Sequence, residues 1–285
     1  MPAGSRAVVS VIGRDQKGVV ARISTYLASC DINIEDIEQR VMEGLFIMTM
    51  QVDLSELSSA LDELALGLRR IGDELGMEVS LRLAHAPRDR KRAAILVTKE
   101  PHCLRQLFHD HTTGDIPADF AVVLANHPDL EPIAREHGVP FAWHASKDKE
   151  AHFDFLEKQL AEVRPDLVVL ARYMQILSPA LCERLRGRAI NIHHSFLPSF
   201  KGSQPYRQAF ERGVKLIGAT AHYVSEDLDG GPIIEQEVER VDHTLDPDEL
   251  AAIGRDVECV ALARAVRWHC EHRILLNGDK TVVFR

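Results

Sequence analysis

The chain has 285 residues, enough for one large domain or two modest ones, and 45% of them are apolar, enough to fill real cores. Acidic residues outnumber basic ones 43 to 34, which argues against a phosphate-backbone partner, since nucleic-acid binders carry a net positive face. With no long apolar span and no charged-then-apolar leader pattern, the expectation is a cytoplasmic protein with no membrane partner; five cysteines, none in a C-x-x-C pair, argue against a disulfide framework or zinc ribbon.

In chain order, RAVVSVIG (6–13) predicts a strand, and GRDQKG (13–18) a turn with glycine at both ends. VVARISTYLASC follows at helical spacing, with Val20, Ile23, Leu27 and Cys30 as its apolar positions. INIEDIEQRVM and LFIMTMQVDL read as two extended runs around a Glu43-Gly44 hairpin turn. Ser55 is placed to cap a helix reaching about Gly76, with Leu57, Leu61, Leu64 and Leu68 as its stripe. MEVSLRL closes the unit as a fourth strand, which gives the order β-α-β-β-α-β, a ferredoxin-like split-βαβ arrangement.

HAPRDRKR is charged, holds Pro87 and has no periodicity, so the sequence divides into a small domain over 1–84, a linker over 85–92 and a larger domain over 93–285. In the larger domain AAILVT, FAVVLAN, DLVVLA and AINIHH read as buried parallel strands. CLRQLFHDH, DLEPIAREHG and EAHFDFLEKQLAEV read as the helices between them, so an α/β, doubly wound, mostly parallel sheet is expected. KLIGATAHYV and PIIEQEVERV suit more amphipathic strands nearer an edge, and DPDELAAIGRDVECVALARAVRWHCEH a long closing helix.

Ligands of open α/β sheets sit outside the carboxyl ends of strands. Asn191 and His193 stand at such an end two residues apart, so they project to one side. Asp229 lies in the Asp229-Gly230-Gly231-Pro232 bend, from which a carboxylate can approach His193. An amide and an imidazolium can stabilise an oxyanion on a carbonyl, and the imidazolium can later protonate a leaving nitrogen. A carboxylate raises the imidazole pKa and can orient water. No serine or cysteine nucleophile is needed, so the set suits direct transfer of a small acyl group.

The runs NIHHSFLPSFKG and GATAHYVSEDLDGGPII closely resemble the folate-dependent formyltransferases, over the whole of 93–285. The resemblance implies that Asn191, His193 and Asp229 are catalytic and that 10-formyltetrahydrofolate is the formyl donor, used as a substrate with no prosthetic group. It also implies a pterin held by two loops, at Met174, Gln175, Ile176 and Leu177 and at Glu226, Asp227 and Leu228. GRDQKGVVARISTYLASCDINIEDI resembles an ACT domain, a module that dimerises and binds amino acids. The fusion of the two, with VTKEPHCLRQL, ARYMQILSP, Pro205-Tyr206, VDHT and GRDVE, resembles the formyltetrahydrofolate deformylases; it departs at Gly202-Ser203-Gln204, where the family commonly has alanine after the glycine. That likeness implies a homo-oligomer, dimer or tetramer. It also implies an amino-acid effector, methionine or glycine, at Asp15, Gln16, Lys17, Gly18 and Asn33.

Water is the expected acceptor. A relative that formylates a phosphorylated glycinamide nucleotide needs a phosphate site, often a glycine-rich loop after the first strand; here TKEPHCLRQL has no glycine, and Glu100 opposes a phosphate. A relative that formylates initiator methionyl-tRNA carries an extra C-terminal RNA-binding domain; none is expected here, and the charge is wrong for tRNA. The products are then formate and tetrahydrofolate, with formate feeding purine synthesis and folate pools kept in balance. The alternatives are a formyltransferase with an unidentified amine acceptor, or a non-catalytic folate or amino-acid sensor. Among fourteen histidines, the pairs His109/His111 and His269/His272 have ligand spacing, yet exposed helix ends suit them better and no metal is expected. His194 is expected to make a structural hydrogen bond and His222 to stand behind the site or shape it. Lys201 suits either solvent or the acidic tail of folate; Trp143 and Phe141 suit core packing ahead of a place at the folate entrance, and Arg255, Asp256 and Glu258 an ion-pair network at the start of the closing helix.

Overall fold

The computed structural model describes residues 6–84, 90–197 and 205–284. The chain forms two compact units, Met1–Arg90 and Lys91–Arg285.

The first unit is a four-stranded antiparallel sheet carrying two helices. Its elements are β1 (Arg6–Arg14), α1 (Val19–Ser29), β2 (Asn33–Met42), β3 (Leu45–Asp53), α2 (Leu61–Leu75) and β4 (Met77–Ala84), with strand order β2-β3-β1-β4. Alternation in β1 buries Ala7, Val9 and Val11, which join Val19, Ile23 and Leu27 of α1 and Leu64 and Leu68 of α2 in one core. The four-residue spacing of Val19, Ile23 and Leu27 sets the buried face of α1, and Val20 lies exposed beside it. Ser55 does not cap α2. Its hydroxyl and backbone N–H both donate to the Asp53 carboxylate, at 2.5 and 2.9 Å, so the side chain is spent in a local turn. The helix begins six residues later, after extended Ala60, with no side-chain cap.

The second unit is built on seven strands in the order β11-β10-β9-β8-β5-β6-β7. They are β5 (Lys91–Val97), β6 (Ala118–Ala125), β7 (Phe141–Trp143), β8 (Leu167–Leu170), β9 (Ala189–His193), β10 (Leu216–Tyr223) and β11 (Ile233–Arg240). Strands β5 to β9 run parallel, while β10 is antiparallel to both its neighbours. Alternate residues of β5 feed two cores: Ala93, Ile95 and Val97 on one face, Ala94 and Leu96 on the other. A sheet covered on both faces explains why these strands read as unbroken apolar runs.

The helices are α3 (His102–Thr113), α4 (Glu131–Glu136), α5 (Lys149–Val163), α6 (Pro179–Arg184), α7 (Pro205–Arg212) and α8 (Pro247–Cys270). The long α8 starts with a full capping box, Asp246 accepting from Asp248 and Glu249 backbone N–H groups while Glu249 reaches back to the Asp246 N–H. Its Val257, Ala261, Leu262, Ala265 and Val266 join the core on one face of the sheet, where α8 lies against β9, β10, β11 and α3. Strand β7, helices α6 and α7, and a final hairpin of β12 (Ile274–Asn277) and β13 (Lys280–Val283) are too short to show a period and are additions to the predicted set. Lys91 and Arg92 belong to the first strand of this unit rather than to a linker. The chain runs from β5 out to β7 and returns to β8 on the other side of β5, so the topological switch lies between the carboxyl ends of β5 and β8.

Candidate active site

Asn191 and His193 end β9, and the antiparallel β10 lies directly beside them, with His222 opposite Asn191 and Thr220 opposite His193. The Asn191 Nδ2 amide stands 3.2 Å from His222 Nε2. His222 Nδ1 lies 2.9 Å from the Tyr223 carbonyl, an acceptor, so Nδ1 donates there and Nε2 is turned toward the Asn191 amide. The second N–H of that amide remains for a substrate oxygen.

The third group arrives from the loop between β10 and β11. Asp229 Oδ2 lies 3.1 Å from His193 Nδ1 and Oδ1 lies 3.6 Å from His222 Nε2. Burial alone would raise the Asp229 pKa; hydrogen bonds and charge from His193 and His222 outweigh it and hold the carboxyl well below the usual range. With Nδ1 facing the carboxylate, His193 keeps Nε2 for chemistry, and that atom is buried without a hydrogen-bond partner among the described residues.

The loop geometry is demanding. Asp229 sits at φ 53°, a left-handed conformation that costs a side-chain-bearing residue free energy. A Cβ on Gly231 would lie 1.8 Å from the Tyr223 carbonyl oxygen, so only glycine lets the returning chain approach β10 and pair the Pro232 carbonyl with the Tyr223 N–H. The segment after His193 is tied down as well. The fully buried Thr220 hydroxyl donates to the Ser195 carbonyl and accepts from the Leu197 N–H, and Gln236 bonds both Thr220 and the Leu197 carbonyl. Neither Thr220 nor Gln236 belongs to the predicted site; their only sequence trace is their place in the run GATAHY and the strand after Asp229.

The two predicted folate loops differ. Met174 and Ile176 are exposed beyond the end of β8, with the Met174 N–H donating to Thr98 Oγ1 at 3.0 Å across the switch point. Gln175 Nε2 folds back onto the Met174 carbonyl, and Leu177 is buried among Tyr173, Leu181 and Cys182, an anchor rather than an open contact. Tyr173 is itself paired through its hydroxyl with buried His152, whose other nitrogen meets the His144 carbonyl at 2.7 Å. Glu226, Asp227 and Leu228 are exposed on the strained loop, which closes through Gly230 N–H to the Asp227 carbonyl at 3.0 Å.

The predicted effector residues are exposed but not gathered within one chain. Asp15 to Gly18 follow Arg14, at the end of β1 that pairs with Leu45. Asn33 opens β2 opposite Asp53, which pairs with Arg6 at the other end of β1. Nine residues of strand separate these ends by roughly 27 Å.

Other histidines are corrected by the structure. His111 rests against Phe120 with ring centroids 4.9 Å apart, and His269 Nδ1 bonds the Tyr223 hydroxyl at 2.7 Å, so neither is a loose helix end. Burial, with help from Arg172 and His193, pushes the His194 pKa down to about 4, and its ring lies 5.1 Å from that of His193. No structural hydrogen bond from His194 is seen among the described residues. Trp143 is exposed rather than packed, while Phe141 does lie against the core. Lys201 and Gly202-Ser203-Gln204 lie outside the described residues.

Glu258 departs furthest from expectation. Arg255 and Asp256 are exposed, but Glu258 is fully buried, three turns into α8. Its Oε2 lies 2.8 Å from His102 Nε2 and 3.4 Å from Arg172 Nε, and its Oε1 accepts from the Tyr206 hydroxyl at 2.7 Å. His102, Cys103 and Glu258 bring three metal-ligand types within 4.8 Å, but the Arg172 guanidinium already supplies the cation there.

Fold and site together define a doubly wound α/β protein with an Asn-His-Asp cluster at one strand end. Residues 91–266 match the formyl transferase family and residues 5–82 the ACT domain family. A formyltetrahydrofolate deformylase of Mycobacterium tuberculosis is 45% identical over 275 residues, covering 95% of this chain and 88% of that one. The crystal structure of a formyltetrahydrofolate deformylase from Pseudomonas syringae aligns with TM-score 0.93 at 39% identity, covering 100% of this chain and 96% of that one. The glycinamide ribonucleotide transformylase 1 of Symbiobacterium toebii aligns with TM-score 0.65 at 29% identity, over 70% of this chain and 96% of that one. The chain belongs to the formyltetrahydrofolate deformylase family, a formyl transferase fold joined to an ACT domain.

Proposed function

We propose that this enzyme hydrolyses 10-formyltetrahydrofolate to tetrahydrofolate and formate, with Asn191, His193 and Asp229 as its catalytic residues. The observation that carries the reading is the 3.1 Å contact between the Asp229 carboxylate and His193 Nδ1, made by residues far apart in the chain. The charged carboxylate stabilises the imidazolium and holds the attacking water. Water adds to the formyl carbon as one of its protons passes by way of the Asp229 carboxylate to solvent, and the oxyanion is met by the Asn191 amide and by His193. His193 then gives its proton to the departing folate nitrogen, and the carbon–nitrogen bond breaks to release formate. His222 is a positioning residue, which aims the Asn191 amide and steadies Asp229.

The pterin is assigned to the Met174–Leu177 and Glu226–Leu228 loops, which offer exposed apolar side chains beside the triad strands. The proposed hydrolysis calls on no prosthetic group, nucleic acid or membrane; among the described residues no helix is long and apolar enough to cross a membrane. The enzyme is assigned to the cytoplasm, where its formate supplies purine synthesis. The ACT unit binds methionine or glycine. Because Asn33 and the Asp15–Gly18 loop stand at opposite ends of one sheet, an effector that touches both needs two copies of the unit, which supports a homo-oligomer.

The direct test is formate release from 10-formyltetrahydrofolate with water as the only acceptor. Formate must appear at a rate that Asp229→Asn abolishes. Turnover that begins only when an amine is added would make the protein a transferase, and folate binding with no turnover would make it a sensor.

A further inference from the structure

Four of the sequence stretches that resemble the deformylases contribute nothing to the triad itself. They are VTKEPHCLRQL, ARYMQILSP, Pro205-Tyr206 and GRDVE. The fold brings one residue from each to a single point. His102 opens α3 just after β5, Arg172 follows the end of β8, Tyr206 comes from α7 and Glu258 from α8. Their contacts converge on the fully buried Glu258 carboxylate.

The place is where a doubly wound sheet holds its ligand. Strands β5 and β8 are neighbours, with Leu96 opposite Leu170, and the switch point lies between their carboxyl ends. The triad is adjacent: His194 follows His193, and the Tyr206 ring lies 6.4 Å from that of His194. The N-terminus of a helix after the first strand is a natural seat for a phosphate. Here the helix is the twelve-residue α3, and its first residue, His102, holds a carboxylate from within the chain.

Stability alone does not account for the cluster. Buried ion clusters roughly break even against apolar packing of the same volume. This one also leaves Arg172 Nε and Nη1 and His102 Nδ1 buried without hydrogen-bond partners among the described residues. The seat is nonetheless built. A Cβ on Gly254 would lie 2.1 Å from the Tyr206 ring, so α8 makes room for the tyrosine.

We propose that His102, Arg172, Tyr206 and Glu258 fill the acceptor half of the site and thereby fix water as the nucleophile. The proposal rests on the hydrolytic reading above and names what enforces it. A phosphorylated amine would meet space filled by four side chains and an Arg172 cation already committed to Glu258, whereas water needs neither room nor a free counter-charge. In a chain with the block removed, the amine nitrogen attacks the formyl carbon and loses a proton, and the folate nitrogen leaves with one.

The test uses the full chain carrying His102→Ser and Tyr206→Ala, with glycinamide ribonucleotide as probe. Formate and N-formylated nucleotide are quantified from 10-formyltetrahydrofolate, and nucleotide binding is measured by calorimetry. The wild type is expected to give formate alone and no binding. The double variant is expected to bind the nucleotide and to formylate it at least tenfold above wild type, while formate falls. A variant that folds by circular dichroism and still releases formate, yet neither binds nor formylates the nucleotide, overturns the block. Wild-type binding of the nucleotide overturns it as well. If the double variant does not fold, His102→Ser alone, whose hydroxyl can still meet Glu258, is read by the same criteria. Failure of the hydrolytic reading shows separately, as absence of formate from wild type without any amine.

Discussion

Asp229 and Glu258 invite comparison, since each is a carboxylate met by imidazole nitrogen in the same unit. Glu258 is fully buried on a 24-residue helix and is held by a histidine, an arginine and a tyrosine. Asp229 keeps 14% of its side chain exposed, at the tip of a strained loop, and its histidine partner has an unspent nitrogen. In the proposed mechanism the same pair of groups is a fixed filler in one place and a reactive centre in the other. What differs is whether the imidazole still has a nitrogen to offer and whether a ligand can reach it.

The comparison breaks most readily at Glu258. Glu258→Ala leaves Arg172 without its buried counter-charge, and about 3–5 kcal/mol of stability should be lost, read as a drop in urea midpoint. Turnover per folded molecule should fall much less. At Asp229 the ranking reverses: Asp229→Asn keeps a residue suited to left-handed backbone and should leave the unfolding free energy within about 1 kcal/mol while turnover falls by about a hundredfold or more. Asn191→Ala should cost a similar factor, since one oxyanion donor is removed. Near-normal rates in either variant would take that residue out of the mechanism.

A smaller effect lies between the two centres, at His194. Its folded pKa of about 4 stands below the ordinary value near 6.5. As pH falls through 6.5 the unfolded chain takes up a proton that the folded chain refuses, so stability is lost between there and about 4. The contribution at pH 5 is at most about 2 kcal/mol, and His194→Phe should flatten the slope of unfolding free energy over that window. Both Asp229 and Glu258 have lowered pKa values, so their contributions are present at neutral pH and lost only under more acid conditions as each folded-state carboxyl protonates. The smallest change is expected far from either centre: Asp246→Ala removes the cap of α8, costs about 1 kcal/mol and leaves turnover unchanged.

Much of this was legible in the order of residues. Strands buried on both faces read as apolar runs, and the glycine pair beside Asp229 marked a bend that the Tyr223 carbonyl does require. The meeting of the three residues was foreseeable because His193 ends a strand and Asp229 sits in the glycine-rich bend of a neighbouring loop. Ser55 misled because a hydroxyl before a helical stripe can serve the preceding aspartate instead. The Glu258 cluster was illegible for another reason. Its partners lie 156, 86 and 52 positions away, and a glutamate on a helix with Arg255 and Asp256 close by looks like part of a solvated face. Only tertiary packing, with α8 laid against β10, β11 and α3, turns that position inward.

The left-handed backbone at Asp229 has one more consequence. Of the acidic residues, glutamate is the poorer choice there, because aspartate is the one whose short side chain tolerates that conformation. Asparagine fits the bend but brings no charge, and glycine fits with no side chain at all. Chain geometry and reaction chemistry thus choose independently, and both arrive at the same letter; a codon change that suits one of them will offend the other.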